Sequence, residues 1–272
     1  SGYANDLSIW RNGMTEPRVA RSAVLKQQFA NNYFAYVRSA VPDMSDAEWD
    51  RHFVYVRDSL ALVIDQVTPL VAGRFDIVTS WQMGGAVKES GKLFRSCQTE
   101  NGIAMSSVDI PLQKIASNVV QGKRLVDLHP GQTKSQATIF FETAHPVTFS
   151  RLQHGGYLCG GSHTAFVASG PLDHEDISCE AAFVYVDQKQ IFLAHATQFR
   201  LHGGVLFHSD KPVNVHWNLA GKFLTVAASE ATSIQFLTHN KLNTFFVRSS
   251  GNTILSAIPP ADLHERITSL LK

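Results

Sequence analysis

The sequence predicts an all-β protein, a large antiparallel β-sandwich of supersandwich-like size with a short C-terminal helix. Three observations lead there. Segments rich in β-branched and aromatic residues recur along most of the chain with turn residues between them, which is the spacing of a sandwich. Alternation of period two is plain in Phe183-Val184-Tyr185-Val186 and in Val213-Asn214-Val215-His216-Trp217, so one side chain in two can face a core. No helix-period repeat competes over the body of the chain.

Taken in order, strands are expected over residues 33–38, 51–56, 60–67, 74–82, 93–97 and 103–108. The second half continues with 137–143, 147–152, 164–168, 178–186, 190–199, 213–218, 222–227, 233–238, 243–248 and 253–257. About sixteen strands exceed what one small sandwich needs. Asn31-Asn32, Gly84-Gly85, Asn101-Gly102, His154-Gly155-Gly156 and Gly203-Gly204 supply the positive φ angles that tight connections use. Two helical exceptions are expected. Ser45-Asp46-Ala47-Glu48 has capping-box spacing and predicts one helical turn before the strand at Arg51. After Pro259 and Pro260, the residues Leu263, Ile267, Leu270 and Leu271 share one helical face and predict a closing helix.

At 272 residues and 44% hydrophobic content the chain can bury a substantial core. One sandwich over 1–272 and two lobes dividing near 155–175 both fit, because polar, glycine-containing loops fall there. The formal net charge is +1 and no Lys/Arg run is visible, so nucleic acid is excluded as an expected partner. The longest apolar runs, such as Leu60 to Ile64, fall far short of the ~20 residues of a transmembrane segment. Three cysteines, Cys97, Cys159 and Cys179, are too few for a disulfide scaffold and lack zinc-ribbon spacing. A Cys159–Cys179 bridge requires their strands to lie side by side; buried free thiols are the commoner arrangement. The chain begins Ser1-Gly2 without Met, which leaves room for a removed signal peptide or upstream domain.

The stretch from 33 to 83 carries Trp49-Asp50-Arg51-His52-Phe53-Val54-Tyr55-Val56, a turn, Leu62-Val63-Ile64-Asp65, a glycine-containing turn, and a strand reaching Trp81. This order resembles the β-sandwich part of heparinase II/III-type polysaccharide lyases. The resemblance implies a secreted or periplasmic sandwich that contacts an acidic polysaccharide. Such lyases also have an α/α toroid bearing the catalytic Tyr, His and Asn, and nothing in residues 1–50 supplies its long amphipathic helices. The resemblance therefore implies a missing upstream helical domain or a stand-alone relative. Some members hold a structural metal through His and Asp. Asp65 matches the Asp, but Gln82 follows Trp81 where His is expected, and an amide oxygen is a poor zinc ligand, so neither metal nor cofactor is expected.

Trp49, Arg51, Trp81 and Trp217 are the candidate carbohydrate-binding residues. Indole faces stack on sugar rings, and guanidinium forks match carboxylate or sulfate. Trp10, Tyr33, Tyr36, Tyr55, Arg38 and Arg57 offer the same chemistry; core packing and strand-end ion pairs are the ordinary uses of all of them. His154, Tyr157 and His163, gathered in one glycine-rich loop, are the candidate catalytic residues, since a His–Tyr pair can withdraw and return a proton in β-elimination. His195, His202, His208 and His216 have no metal-ligand spacing and act together only if the strands around 195–201 and 213–217 are neighbours. No nucleophile elbow, phosphate loop or dinucleotide fingerprint is present. The expectation is a carbohydrate-related sandwich supporting binding or cleavage of an acidic polysaccharide. A self-contained lyase and a structural assembly or adhesion module are the alternatives.

Overall fold

The computed structural model describes residues 6–14, 23–96, 102–153, 155–161, 164–174, 176–238, 241–249 and 252–272. Antiparallel sheets dominate, and the chain divides into two compact units, Ser1–Phe149 and Ser150–Lys272. Residues 155–175 lie within the second unit.

The strands of the first unit are β1 (Asp6–Arg11), β2 (Val24–Ala30), β3 (Phe34–Val41), β4 (Ala47–Val56), β5 (Leu60–Pro69), β6 (Gly73–Gln82), β7 (Val87–Ser90), β8 (Leu93–Ser96), β9 (Ile103–Ser107), β10 (Leu112–Ala116), β11 (Val119–Leu128) and β12 (Lys134–Glu142). They form a four-stranded sheet, β1-β6-β11-β10, and an eight-stranded sheet, β2-β3-β4-β5-β12-β9-β8-β7. Period-two alternation decides which faces meet. From the smaller sheet Leu7, Ile9, Phe75, Ile77 and Leu128 enter one apolar cluster with Val41, Ala47 and Val67 of the larger. Trp81 and Val120 enter a second cluster with Val63, Phe94 and Met105. The alternate residues of β1, β6 and β11 therefore point away from the sandwich.

The expected helical turn at Ser45 does not form. Ser45 and Asp46 take φ of 55° and 61°, and Ala47 already begins β4. Two left-handed residues turn the chain instead, with Met44 and Ala47 exchanging backbone hydrogen bonds across them; the capping-box spacing had no apolar helical face behind it to stabilise a helix.

The second unit contains β13 (Thr148–Arg151, which spans the division), β14 (Tyr157–Gly160), β15 (Ala165–Ser169), β16 (Leu172–Asp173), β17 (Ile177–Glu180), β18 (Phe183–Asp187), β19 (Gln190–Leu201), β20 (Gly204–Asn218), β21 (Phe223–Ala228), β22 (Thr232–Thr238), β23 (Lys241–Val247), β24 (Asn252–Ser256) and the helix α1 (Leu263–Leu270). The long strands β19 and β20 organise it. β19 pairs with β18 through its first half and with β17 through its second, while β20 pairs with β22 near Phe207 and with β21 from Val213 onward. Bulges in the β19–β20 ladder mark the bend. The fold-over encloses Phe166, Val184, Leu193, Phe199, Phe207, Trp217 and Phe236, and Leu263 and Ile267 of α1 close the same core. The predicted C-terminal helix is thus present and amphipathic as read. No helix among the described residues is long and apolar enough to cross a membrane.

Candidate functional site

The Trp-Arg-Asp sequence that suggested a sugar platform folds inward. Arg51 and Asp65 are register partners on β4 and β5, and the guanidinium grips the carboxylate through Nε–Oδ1 at 2.7 Å and Nη2–Oδ2 at 3.0 Å. The Trp49 indole N–H donates to the same Oδ1 at 2.8 Å. The Arg51 guanidinium carbon lies 4.8 Å from the Trp49 ring centre and 5.1 Å from that of Trp81. Asp65 and Trp81 are 2% and 4% exposed. With its oxygens taken by Arg51 and Trp49, Asp65 serves the sandwich and is not free to ligate a metal, and Gln82 points to solvent. Trp217 lies in the other unit at 1% exposure, 4.2 Å from Phe236 by ring centres, its indole N–H donating to the Ala257 carbonyl. These placements give Trp49, Arg51 and Trp81 packing roles in the first unit and Trp217 a packing role in the second.

Tyr157 is fully buried on β14 beneath the Arg151 guanidinium, 5.9 Å from its ring centre, while His154 and His163 lie outside the described residues. The strands carrying His195 and His216 are neighbours, yet the imidazoles separate: His195 is exposed at a bulge, and His216 is buried against Gln190. His202 bonds instead to Asp176 and to the Arg266 carbonyl of α1. No cluster of His, Cys, Asp or Glu suited to a metal ion occurs among the described residues. Cys159 and Cys179 are buried free thiols, each facing a different partner strand, so the possible bridge does not form; Cys97 lies outside the described residues.

A buried polar chain the sequence did not announce runs across the other face of β3, β4 and β5. The Tyr36 hydroxyl meets His52 Nδ1 at 3.0 Å, and His52 Nε2 meets Gln66 Oε1 at 3.1 Å. Since Oε1 only accepts, Nε2 carries the proton and Nδ1 accepts from Tyr36. Burial pushes the Tyr36 hydroxyl up and the His52 imidazole down, to about 4. Both shifts oppose proton transfer near neutral pH, so this pair is structural.

The open chemistry lies on the outward face of the four-stranded sheet. There a groove of about 660 Å³ is lined by Trp10 of β1, Arg74 and Asp76 of β6, and Gln121, Lys123 and Leu125 of β11, with Asn12 to Met14 closing one end. The register explains the grouping: Trp10, Asp76 and Leu125 form one cross-strand row, and Lys123 stands opposite Val78 in the next. Lys123 Nζ pairs with Asp76 Oδ2 at 2.5 Å, and Gln121 Nε2 donates to Ser80 at 3.2 Å. Asp76 Oδ1 is screened from water and has no hydrogen-bond partner among the described residues. Arg74 is exposed and stands in register with Asp127, but no ion pair engages it among the described residues. Asn12 fixes this end of the groove by accepting from the Arg74 backbone N–H at 3.0 Å. Of these residues only Trp10 was singled out from sequence. The available signal was parity: Phe75, Ile77 and Trp81 are inward, so Arg74 and Asp76 must be outward.

No known protein-family profile matches the chain, and no curated protein matches it. Among solved structures, heparan sulfate lyase HepC from Pedobacter heparinus aligns at 9% identity over 57% of this chain and 28% of its own, with a TM-score of 0.42. A mutant of that lyase aligns equally, and a heparinase III aligns at 12% identity over 78% of this chain and 30% of its own, with a TM-score of 0.37. The chain therefore has a weak, segment-level resemblance to these lyases and spans under a third of their length.

Proposed function

We propose that the protein is a carbohydrate-contacting β-sandwich that holds an acidic oligosaccharide in the groove on the outward face of β1, β6 and β11. The groove itself carries the reading. Trp10 offers an indole shelf for the apolar C–H face of a sugar ring, Arg74 offers a carboxylate or sulfate a guanidinium that no ion pair engages among the described residues, and Gln121 and Asp76 supply hydroxyl-directed polar groups. Its volume falls within the range of small-ligand sites. An acidic polysaccharide is also the ligand class that the sequence resemblance over residues 33–83 implies, and a secreted or periplasmic location follows from where such polymers are met. Contact, not cleavage, is the reading preferred, because the described member of the loop triad, Tyr157, is buried.

The test is calorimetric titration of the protein with uronate-containing and neutral oligosaccharides. Binding of acidic members is expected, weakened at least about tenfold, or ~1.4 kcal/mol, by Trp10→Ala. Silence across the whole panel overturns the proposal.

A further inference from the structure

We infer that the groove selects hexuronate chains of low charge density, carrying carboxylates and free hydroxyls, over densely sulfated ones; this rests on the proposed reading of the groove as an acidic-oligosaccharide site. Charge balance sets the selectivity. Arg74 and Lys123 bring two cations to the groove, but Asp76 lies between them on the sheet and already neutralises Lys123 at 2.5 Å. Asp127 stands beside Arg74 in register on the same face. Among the described residues the surface therefore presents close to zero net charge, with one guanidinium available for one anionic group.

A ring bearing several sulfates brings three or more negative charges against that balance and sets at least one of them near the Asp76 or Asp127 carboxylate, where like charges repel. A uronate residue brings one carboxylate, which the Arg74 fork can take in two parallel bonds. Its hydroxyls are donors, and Asp76 Oδ1 is a screened acceptor without a partner among the described residues. Leaving such an oxygen unmet costs free energy that a ligand O–H can recover while Lys123 stays on Oδ2. Sulfation removes those donors and replaces them with acceptors, so the same oxygen then faces a second anion. Trp10 reads the ring face in either case and does not discriminate.

The experiment compares wild-type binding to oligosaccharides of one unsulfated hexuronan backbone with binding to the same backbone chemically sulfated, alongside its carboxyl-reduced form. The unsulfated acid is expected to bind at least about tenfold tighter than either derivative. Asp76→Asn, checked for an unchanged melting curve, is expected to narrow the gap by admitting the sulfated chain. Equal or tighter binding of the sulfated chain by the wild type overturns this inference while leaving an acidic-oligosaccharide site intact. Equal binding of the carboxyl-reduced chain, or no binding of any, overturns the proposed function as well.

Discussion

Arg51 and Asp65 stand opposite one another on β4 and β5, joined by two hydrogen bonds, with the Arg51 guanidinium over the indoles of both Trp49 and Trp81. The pair is inside the sandwich, with side-chain exposures of 17% and 2%. Its attraction offsets the cost of burying two charges only while both are present. Asp65→Ala is expected to lower stability by about 3–5 kcal/mol, because it leaves Arg51 uncompensated and takes the acceptor from Trp49. Replacing both partners with Leu and Met is expected to cost far less. Denaturant unfolding of the single and double variants checks this, and an equal loss in both contradicts it.

Trp217 anchors the second unit through Phe236 and the Ala257 carbonyl. Trp217→Ala is expected to cost about 3–5 kcal/mol through the cavity it leaves. A sugar-binding Trp would instead leave stability unchanged when removed, so the melting temperature of this variant separates the two roles.

Two histidines buried among the described residues make the fold acid-sensitive. Burial depresses His52 and His216 to about 4, whereas an unfolded imidazole titrates near 6.5. Between those values the unfolded chain binds more protons, so stability is full above pH ~6.5 and declines as pH falls toward ~4. The loss for each histidine is on the order of 3 kcal/mol at most. Thermal melts from pH 7 to pH 4 are expected to fall in this window, with a shallower slope in His52→Gln. A flat profile contradicts the burial of these rings.

The thiols of Cys159 and Cys179 are pushed up to about 12 and about 11, chiefly by burial. In a Cys97→Ser variant neither is expected to react with a thiol reagent at pH 8 until the protein is unfolded. Rapid labelling of the native variant contradicts their placement.

The sandwich itself was legible because the core strands keep an alternating apolar face, which β4 and β5 interrupt only with the paired Arg51 and Asp65. β4, β5, β6 and β12 were read within a few residues of their ends, whereas 178–186 proved to be two strands, β17 and β18, parted at Ala181-Ala182. The groove was not legible, since two of its three strands were missed. β1 is a six-residue strand with only Leu7 and Ile9 entering the core cluster. In β11 the outward Gln121, Lys123 and Asp127 surround Gly122, which reads as a break; the glycine is there because a side chain would collide with Ile110. The residue types suited to sugar contact at Trp49, Arg51 and Trp81 were recognised, but residue type does not fix direction. Parity did: Trp81 shares a face with Phe75 and Ile77, both in the core.

The proposed ligand site is the outward groove, and not the inward Trp-Arg-Asp cluster. Titration of a uronate oligosaccharide into wild-type protein, Trp10→Ala, Arg74→Ala and a folded Trp81→Phe variant tests it most directly. The expected result is binding lost or weakened at least about tenfold in Trp10→Ala and Arg74→Ala, with melting temperatures unchanged, and retained in Trp81→Phe. Binding retained in both groove variants and lost in Trp81→Phe would contradict the account.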